Sequence, residues 1–234
     1  LPTLYQDLPD LRVAYHEAGS GPNLLLLHGN SESKKIFSRY QLEFFPDYRT
    51  YALDSRGHGQ SRSTDTEYTI PQYCQDVINF CRAIDIQKTH LVGYSDGGNI
   101  ALLLAHRAPQ LFDRIVAISP NYLVSGTEEE SLLLFTRMMK KFKVLRKIGL
   151  PMQKHIMRFN LMLTDIGISE EELASISTGM KILYAEKEMI KESHIKDIAR
   201  LIPNTDLEMV RDCTHMNILN QPRTVEAIRE YLLG

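Results

Sequence analysis

The stretch that most constrains this chain is His90-Leu91-Val92-Gly93-Tyr94-Ser95-Asp96-Gly97-Gly98-Asn99. A short apolar run ends in Gly-x-Ser-x-Gly, and Ile100 to His106 continues in a helical pattern. Strand, very tight turn and helix in that order present a serine hydroxyl at the top of a parallel sheet. So sharp a turn brings neighbouring backbones together, and a Cβ at Gly93 or Gly97 would collide with them. The competing reading is a strand–helix turn in which Ser95 only caps the helix.

The rest of the chain fits such a sheet. Leu11 to Ala18 alternates apolar and polar residues and predicts an exposed antiparallel edge strand, followed by a turn at Gly19-Ser20-Gly21-Pro22. Leu24 to Leu27 is uninterruptedly apolar, as a strand covered on both faces must be. It ends in His28-Gly29-Asn30-Ser31, with a helix expected near Ile36 to Phe45. Thr50 to Leu53 is a further buried strand, then Asp54-Ser55-Arg56-Gly57-His58-Gly59-Gln60-Ser61, a helix over Pro71 to Ile84, and the strand Ile115 to Ile118 closed by Ser119-Pro120-Asn121. From Tyr122 to Ile176 only helical patterns occur: Glu128 to Ile148, a Met-rich piece over Pro151 to Leu163, and a capping box at Ser169 to Glu172. Alternation resumes with strands at Lys181 to Ala185 and Leu207 to Val210 and helices over Ser193 to Leu201 and from Pro222. The pattern predicts an α/β fold, a mostly parallel doubly wound sheet. Residues 1–121 and 177–234 would form the core domain, and 122–176 a small helical insertion over the sheet's C-terminal edge, where ligands bind in open α/β sheets.

Composition narrows the function classes. A net charge of −2 offers no electrostatic case for nucleic acid or an anionic membrane. Three cysteines (Cys74, Cys81, Cys213), with no Cys-x-x-Cys, suggest neither a disulfide framework nor a metal site. Cys74 and Cys81 are seven apart in a helical pattern and are expected on one buried face. No membrane-spanning apolar run and no signal peptide at Leu1 are seen, so the expected setting is a reducing cytoplasm.

Taken together, His28-Gly29-Asn30 after a strand, the Asp54–Ser61 segment, Gly93-Tyr94-Ser95-Asp96-Gly97-Gly98 and a late histidine, His215, resemble the α/β-hydrolase superfamily, specifically its small cap-bearing serine hydrolases. The resemblance covers nearly the whole chain. It implies that Ser95 is a nucleophile and that His215, just beyond the last strand, is its base. His194 is the competing base, whereas His28 and His58 belong to structural turns in the family's pattern. The family's acid loop usually reads Gly-x-x-Asp, and here it is Ala185-Glu186-Lys187-Glu188. Glu188 is therefore the expected triad acid, with Glu186 and Asp165 as weaker candidates. Asn121 sits where some members keep an alternative acid. The backbone N–H groups of Asn30 and Asp96 are expected to form the oxyanion hole.

The resulting expectation is a serine esterase-like hydrolase that cleaves a small ester, thioester or amide through an acyl-enzyme. Its substrate would be a small molecule with an apolar acyl part, and no cofactor, metal, nucleic acid or membrane partner is implied. Carbon–carbon bond hydrolases and perhydrolases share the triad, and a ligand receptor that kept the fold is the rival from another class. The Met138, Met139, Met152, Met157 and Met162 stripe is expected to pack on the sheet's top edge, with some of it lining an acyl pocket. The basic run from Lys140 to Lys147 is expected to be a solvated face, with attraction of an anionic substrate as the alternative.

Overall fold

The four-leucine run lies at the middle of the sheet in the computed structural model, which describes all 234 residues. Its strand, β3 (Asn23–Leu27), has parallel neighbours on both sides, β4 (Arg49–Leu53) and β6 (Thr89–Tyr94). Alternate side chains go to opposite faces: Leu25 and Leu27 join one apolar cluster, Leu24 and Leu26 the other. Beyond β6, the parallel strands β7 (Phe112–Ile118), β8 (Met180–Lys187) and β9 (Thr205–Thr214) extend the sheet. On the other side β2 (Leu11–Ala18) pairs antiparallel with β4, and β1 (Leu4–Asp7) and β5 (Arg62–Ser63) pair with β2. The order β1-β2-β4-β3-β6-β7-β8-β9 is the mostly parallel doubly wound sheet expected from the alternation. Its strand order reverses between β3 and β6, so the loops after these strands diverge and leave a crevice.

Helices α1 (Ile70–Ala83), α2 (Asp96–Arg107) and α6 (Glu192–Leu201) bury apolar side chains on the Leu25/Leu27 face, and α7 (Pro222–Leu233) does so on the other. Cys74 and Cys81 are both buried in α1. Between β7 and β8 come α3 (Glu129–Lys147), α4 (Gln153–Leu161) and α5 (Glu170–Ala174), the last opened by the Ser169/Glu172 capping box. Leu161, Ile166, Ile168, Leu173 and Ile176 join the same apolar cluster as the sheet. By contrast α3 buries only Met139. No helix is long and apolar enough to cross a membrane.

Two expectations are corrected. Leu11 to Ala18 is not an exposed edge: β1 pairs along it, and Val13 to His16 are buried. The α-helix expected near Ile36 to Phe45 is replaced by a 3₁₀ turn at Lys34–Phe37 and a π turn at Tyr40–Phe44. There the adjacent side chains of Tyr40 and Gln41 both face inward, donating to the Leu219 and His16 carbonyls. The smaller rotation per residue of a π turn lets neighbours share a face, and Pro46 stops the helix from continuing.

The Lys34 end of this segment is held by a buried ion pair. Asp54, at the end of β4, accepts from Lys34 Nζ at 2.6 Å, from the Lys34 N–H at 2.7 Å and from the Gln60 N–H at 2.8 Å. Asp54→Ala would strand the buried Lys34 ammonium and should cost about 3–5 kcal/mol in urea unfolding. Lys34→Met leaves the carboxylate two backbone donors and should cost distinctly less; equal losses would contradict this account.

Candidate active site

Ser95 occupies the turn between β6 and α2 with φ 54° and ψ −116°, a conformation that an L residue adopts only when its surroundings enforce it. Those surroundings are backbone. A Cβ on Gly93 would overlap the Gly97 carbonyl, and one on Gly97 would overlap the Leu27 carbonyl of β3. The Ser95 N–H donates to the Ile118 carbonyl of β7 at 2.9 Å. The turn is thus clamped between strands on both sides, and its hydroxyl projects into the crevice. Ser95 does not cap α2, as its side chain makes no capping bond.

The Ser95 Oγ lies 3.0 Å from His215 Nε2. His215 starts a 3₁₀ turn after β9 that is opened by a Thr214/Asn217 capping box, and the Tyr94 hydroxyl donates to its carbonyl at 2.8 Å. On the far side of the ring, Nδ1 bonds Glu188 Oε1. Glu188 follows β8, whose pairing with β9 shifts register between Ala185 and Lys187. Glu188 also accepts from the Ser119 hydroxyl (2.6 Å), the Met189 N–H (2.8 Å) and the Ala185 N–H (3.2 Å). Burial pushes the Glu188 carboxyl up, but the bonds to His215, Ser119 and the Met189 N–H outweigh it and hold the group below its ordinary value. The longer glutamate is therefore accommodated at a strand end that offers it donors on both oxygens.

The other candidates are engaged elsewhere. Glu186 is exposed and accepts from the Asp212 N–H, and Asp165 accepts from the Val124 N–H. The side chains of Asn121 and Asn99 bond each other. His194 stacks on Tyr122 and accepts its N–H, so it is not joined to Ser95. Ser119 went unnoticed in the sequence. Only the pairing Ile118↔Leu183, which sets the end of β7 beside β8, reveals that it borders Glu188.

Asn30, Ser95 and Asp96 all line one cavity of about 250 Å³. Asp96 is the first residue of α2, where backbone N–H groups lack intrahelical acceptors. The Asn30 N–H bonds no protein acceptor. Its side-chain amide donates to Asp96 Oδ2 at 2.9 Å and to the Arg158 carbonyl of α4 at 2.8 Å. Behind this loop, His58 Nε2 accepts from the Ser31 N–H and His28 Nε2 from the Ser55 N–H. Burial lowers the pKa of both rings, which keeps them neutral and able to accept. Apolar walls are contributed by Tyr122, Phe135, Phe159, Leu161, Met162 and Ile166, beside polar side chains that include Asn99, Asn121, Thr127 and Thr164. Of the methionine stripe only Met162 lines it. Two carboxylates, Glu32 and Asp96, border the cavity, and no lysine or arginine does. Burial raises both, Asp96 to about 6.

The chain is similar to proteins that carry hydrolase names. It is 30% identical over 112 residues to a 2-(acetamidomethylene)succinate hydrolase of Mesorhizobium japonicum, covering 48% of this chain and 40% of that protein. It is 32% identical over 110 residues to a 2-hydroxymuconate semialdehyde hydrolase of a Pseudomonas species, covering 45% of this chain and 39% of that protein. The chain thus spans about two fifths of the length of these relatives. Among solved structures it resembles a hydrolase from Pseudomonas aeruginosa with a TM-score of 0.77, at 20% identity and with 98% of each chain covered, a likeness of fold. Residues 22–146 match the family model for the alpha/beta hydrolase fold, and the chain belongs to that family.

Proposed function

We propose that this protein is a serine hydrolase that cleaves small esters, thioesters or amides through an acyl-enzyme. The observation that carries the proposal is the unbroken chain Ser95–His215–Glu188 at the floor of an apolar cavity. Ser95 Oγ attacks the carbonyl carbon while His215 Nε2 takes its proton; the leaving group then receives that proton as the bond breaks. Water, deprotonated by the same nitrogen, releases the acid and restores Ser95. Glu188 holds the imidazole in the required tautomer and stabilises the imidazolium. The N–H groups of Asn30 and Asp96 receive the developing oxyanion. Residues 122–176 act as the cap, contributing Phe135, Phe159 and Met162 to the acyl wall.

Pocket electrostatics support a neutral or cationic substrate. A dicarboxylate such as the succinate in one relative's name would meet Glu32 and Asp96 with no cation to balance it. The fit of Glu188 also weakens the receptor reading, whose one support was the departure from the usual acid loop.

Hydrolysis of p-nitrophenyl esters from acetate to octanoate tests the proposal. Ser95→Ala should lower kcat by about 10⁴-fold or more and Glu188→Gln by about 10³–10⁴-fold. Turnover that survives Ser95→Ala would sink the assignment, and wild-type protein inert to both esters and a fluorophosphonate probe would favour the receptor.

Asp96 offers a second check through stability. Its carboxyl rises from an ordinary 3.8 to about 6, chiefly through burial, so the folded state favours the protonated form. That contribution is full below 3.8 and lost as pH rises through 6. Asp96→Asn should therefore be more stable than wild type near neutral pH, by up to about 3 kcal/mol, with the gap closing at about pH 4. Urea midpoints that differ equally at both pH values would contradict the assignment of the shift to the buried charge.

A further inference from the structure

The whole-chain charge of −2 hides a strongly uneven distribution. Between Ser131 and Thr164 lie eight of the chain's 27 lysines and arginines and none of its 29 aspartates and glutamates. Six of these cations, Arg137, Lys140, Lys141, Lys143, Arg146 and Lys147, are on α3, and all six are exposed. Apolar side chains stand among them. Leu133 is 51% exposed, Val144 59% and Ile148 71%, against an interior in which leucine, valine and isoleucine are mostly buried. Leu133, Arg137, Lys140, Val144 and Ile148 follow at spacings of four, three, four and four, which places them along one stripe of the helix. The opposite side of α3 packs inward: Phe135 borders the cavity, and Phe142 stacks on His155 and meets Phe159 of α4 edge to face.

We propose that this outer face of α3 docks on an anionic phospholipid bilayer, with the helix lying in the interface plane. Cations on a helical face attract the negative surface, and the interspersed Leu133, Val144 and Ile148 enter the boundary between headgroups and acyl chains. The composition favours lipid over nucleic acid, because the exposed face carries no aromatic platform for single-stranded bases and its Leu133, Val144 and Ile148 have no role against a duplex backbone. It favours lipid over a folded acidic protein, because exposed Leu133, Val144 and Ile148 are interspersed with cations along one helical stripe, the pattern of a helix lying in a bilayer interface. Docked in this way, α3 would hold the Phe135 wall of the cavity next to the bilayer. The proposal rests on the surface alone and not on the catalytic reading.

Co-sedimentation with vesicles tests it. Phosphatidylcholine vesicles containing about 30% phosphatidylserine should bind the protein at least about tenfold more strongly than phosphatidylcholine alone at about 50 mM salt, and that preference should collapse at about 500 mM. Lys140→Glu combined with Lys141→Glu should reduce binding by about tenfold or more. Leu133→Ser combined with Val144→Ser should weaken binding while leaving its salt dependence in place. Circular dichroism of each variant should match wild type, since all four positions are solvent-facing or helix-compatible. Equal binding to both vesicle types, binding to neither, or indifference to the charge reversals overturns the proposal. So does binding to double-stranded DNA as strong as to the anionic vesicles and unchanged by the two serine substitutions, which would mark a general polyanion surface.

Discussion

The close approach of three backbone segments is the constraint on which the rest of this structure depends. Gly97 of α2 lies against the Leu27 carbonyl of β3, while Gly93 of β6 lies against the Gly97 carbonyl. Two missing side chains let a helix start directly over a strand end, and they force Ser95 into a conformation that L residues avoid. A wider turn would withdraw the hydroxyl from the crevice and lengthen its 3.0 Å approach to His215. The N–H groups at the start of α2 are aimed into the same crevice because the helix begins there. One steric fact thus sets the position of the hydroxyl, of the first helical N–H groups and of the cavity floor.

The loops around that floor are held by buried polar contacts rather than by regular structure. Neutral His28 and His58 each accept a backbone N–H from a neighbouring loop, and the Lys34–Asp54 pair ties the segment after β3 to the end of β4. Asn30 then couples this braced loop to the insertion, through its amide bonds to Asp96 and to the Arg158 carbonyl. Arg158 returns the contact, donating from Nε to the Gly57 carbonyl at 3.1 Å. Such networks are worth most where water is excluded, since an unmet buried donor or acceptor is costly there. They give the loop carrying Asn30 a defined position without a helix or strand to impose one.

Charge is arranged in opposite senses on the two sides of the helical insertion. Inside, the cavity is bordered by Glu32 and Asp96 and by no cation; outside, α3 is lined with lysine and arginine. The cavity side meets a small molecule in a confined space where each carboxylate is felt strongly, and the outer side meets solvent, where only a collective field reaches a partner. The two patterns lie on different elements: Asp96 opens α2 and Glu32 follows β3, whereas α3 gives the cavity only Phe135 and turns its cations to solvent.

Much of the fold was legible in the residues. The uninterrupted Leu24–Leu27 run, the glycines around Ser95 and the strand–helix alternation lead to the sheet and its order of elements, because burial and steric exclusion act on neighbours in the chain. The strand–turn–helix motif led to Ser95, while His215 and Glu188 were reached only through the resemblance to the α/β-hydrolases, which carried their roles. The edge status of Leu11–Ala18 and the helix at Ile36–Phe45 were not legible. The first depends on β1 pairing across a turn, the second on inward bonds from Tyr40 and Gln41 to residues 179 and 25 positions away. Ser119 as a partner of Glu188, the tie from Asn30 to Arg158 and the meeting of Glu32 with Asp96 at one cavity likewise required tertiary structure. Local sequence determines which backbone shapes a segment can adopt, whereas contacts between distant segments depend on how the strands are ordered in the sheet, and that order is set by the packing of the whole chain.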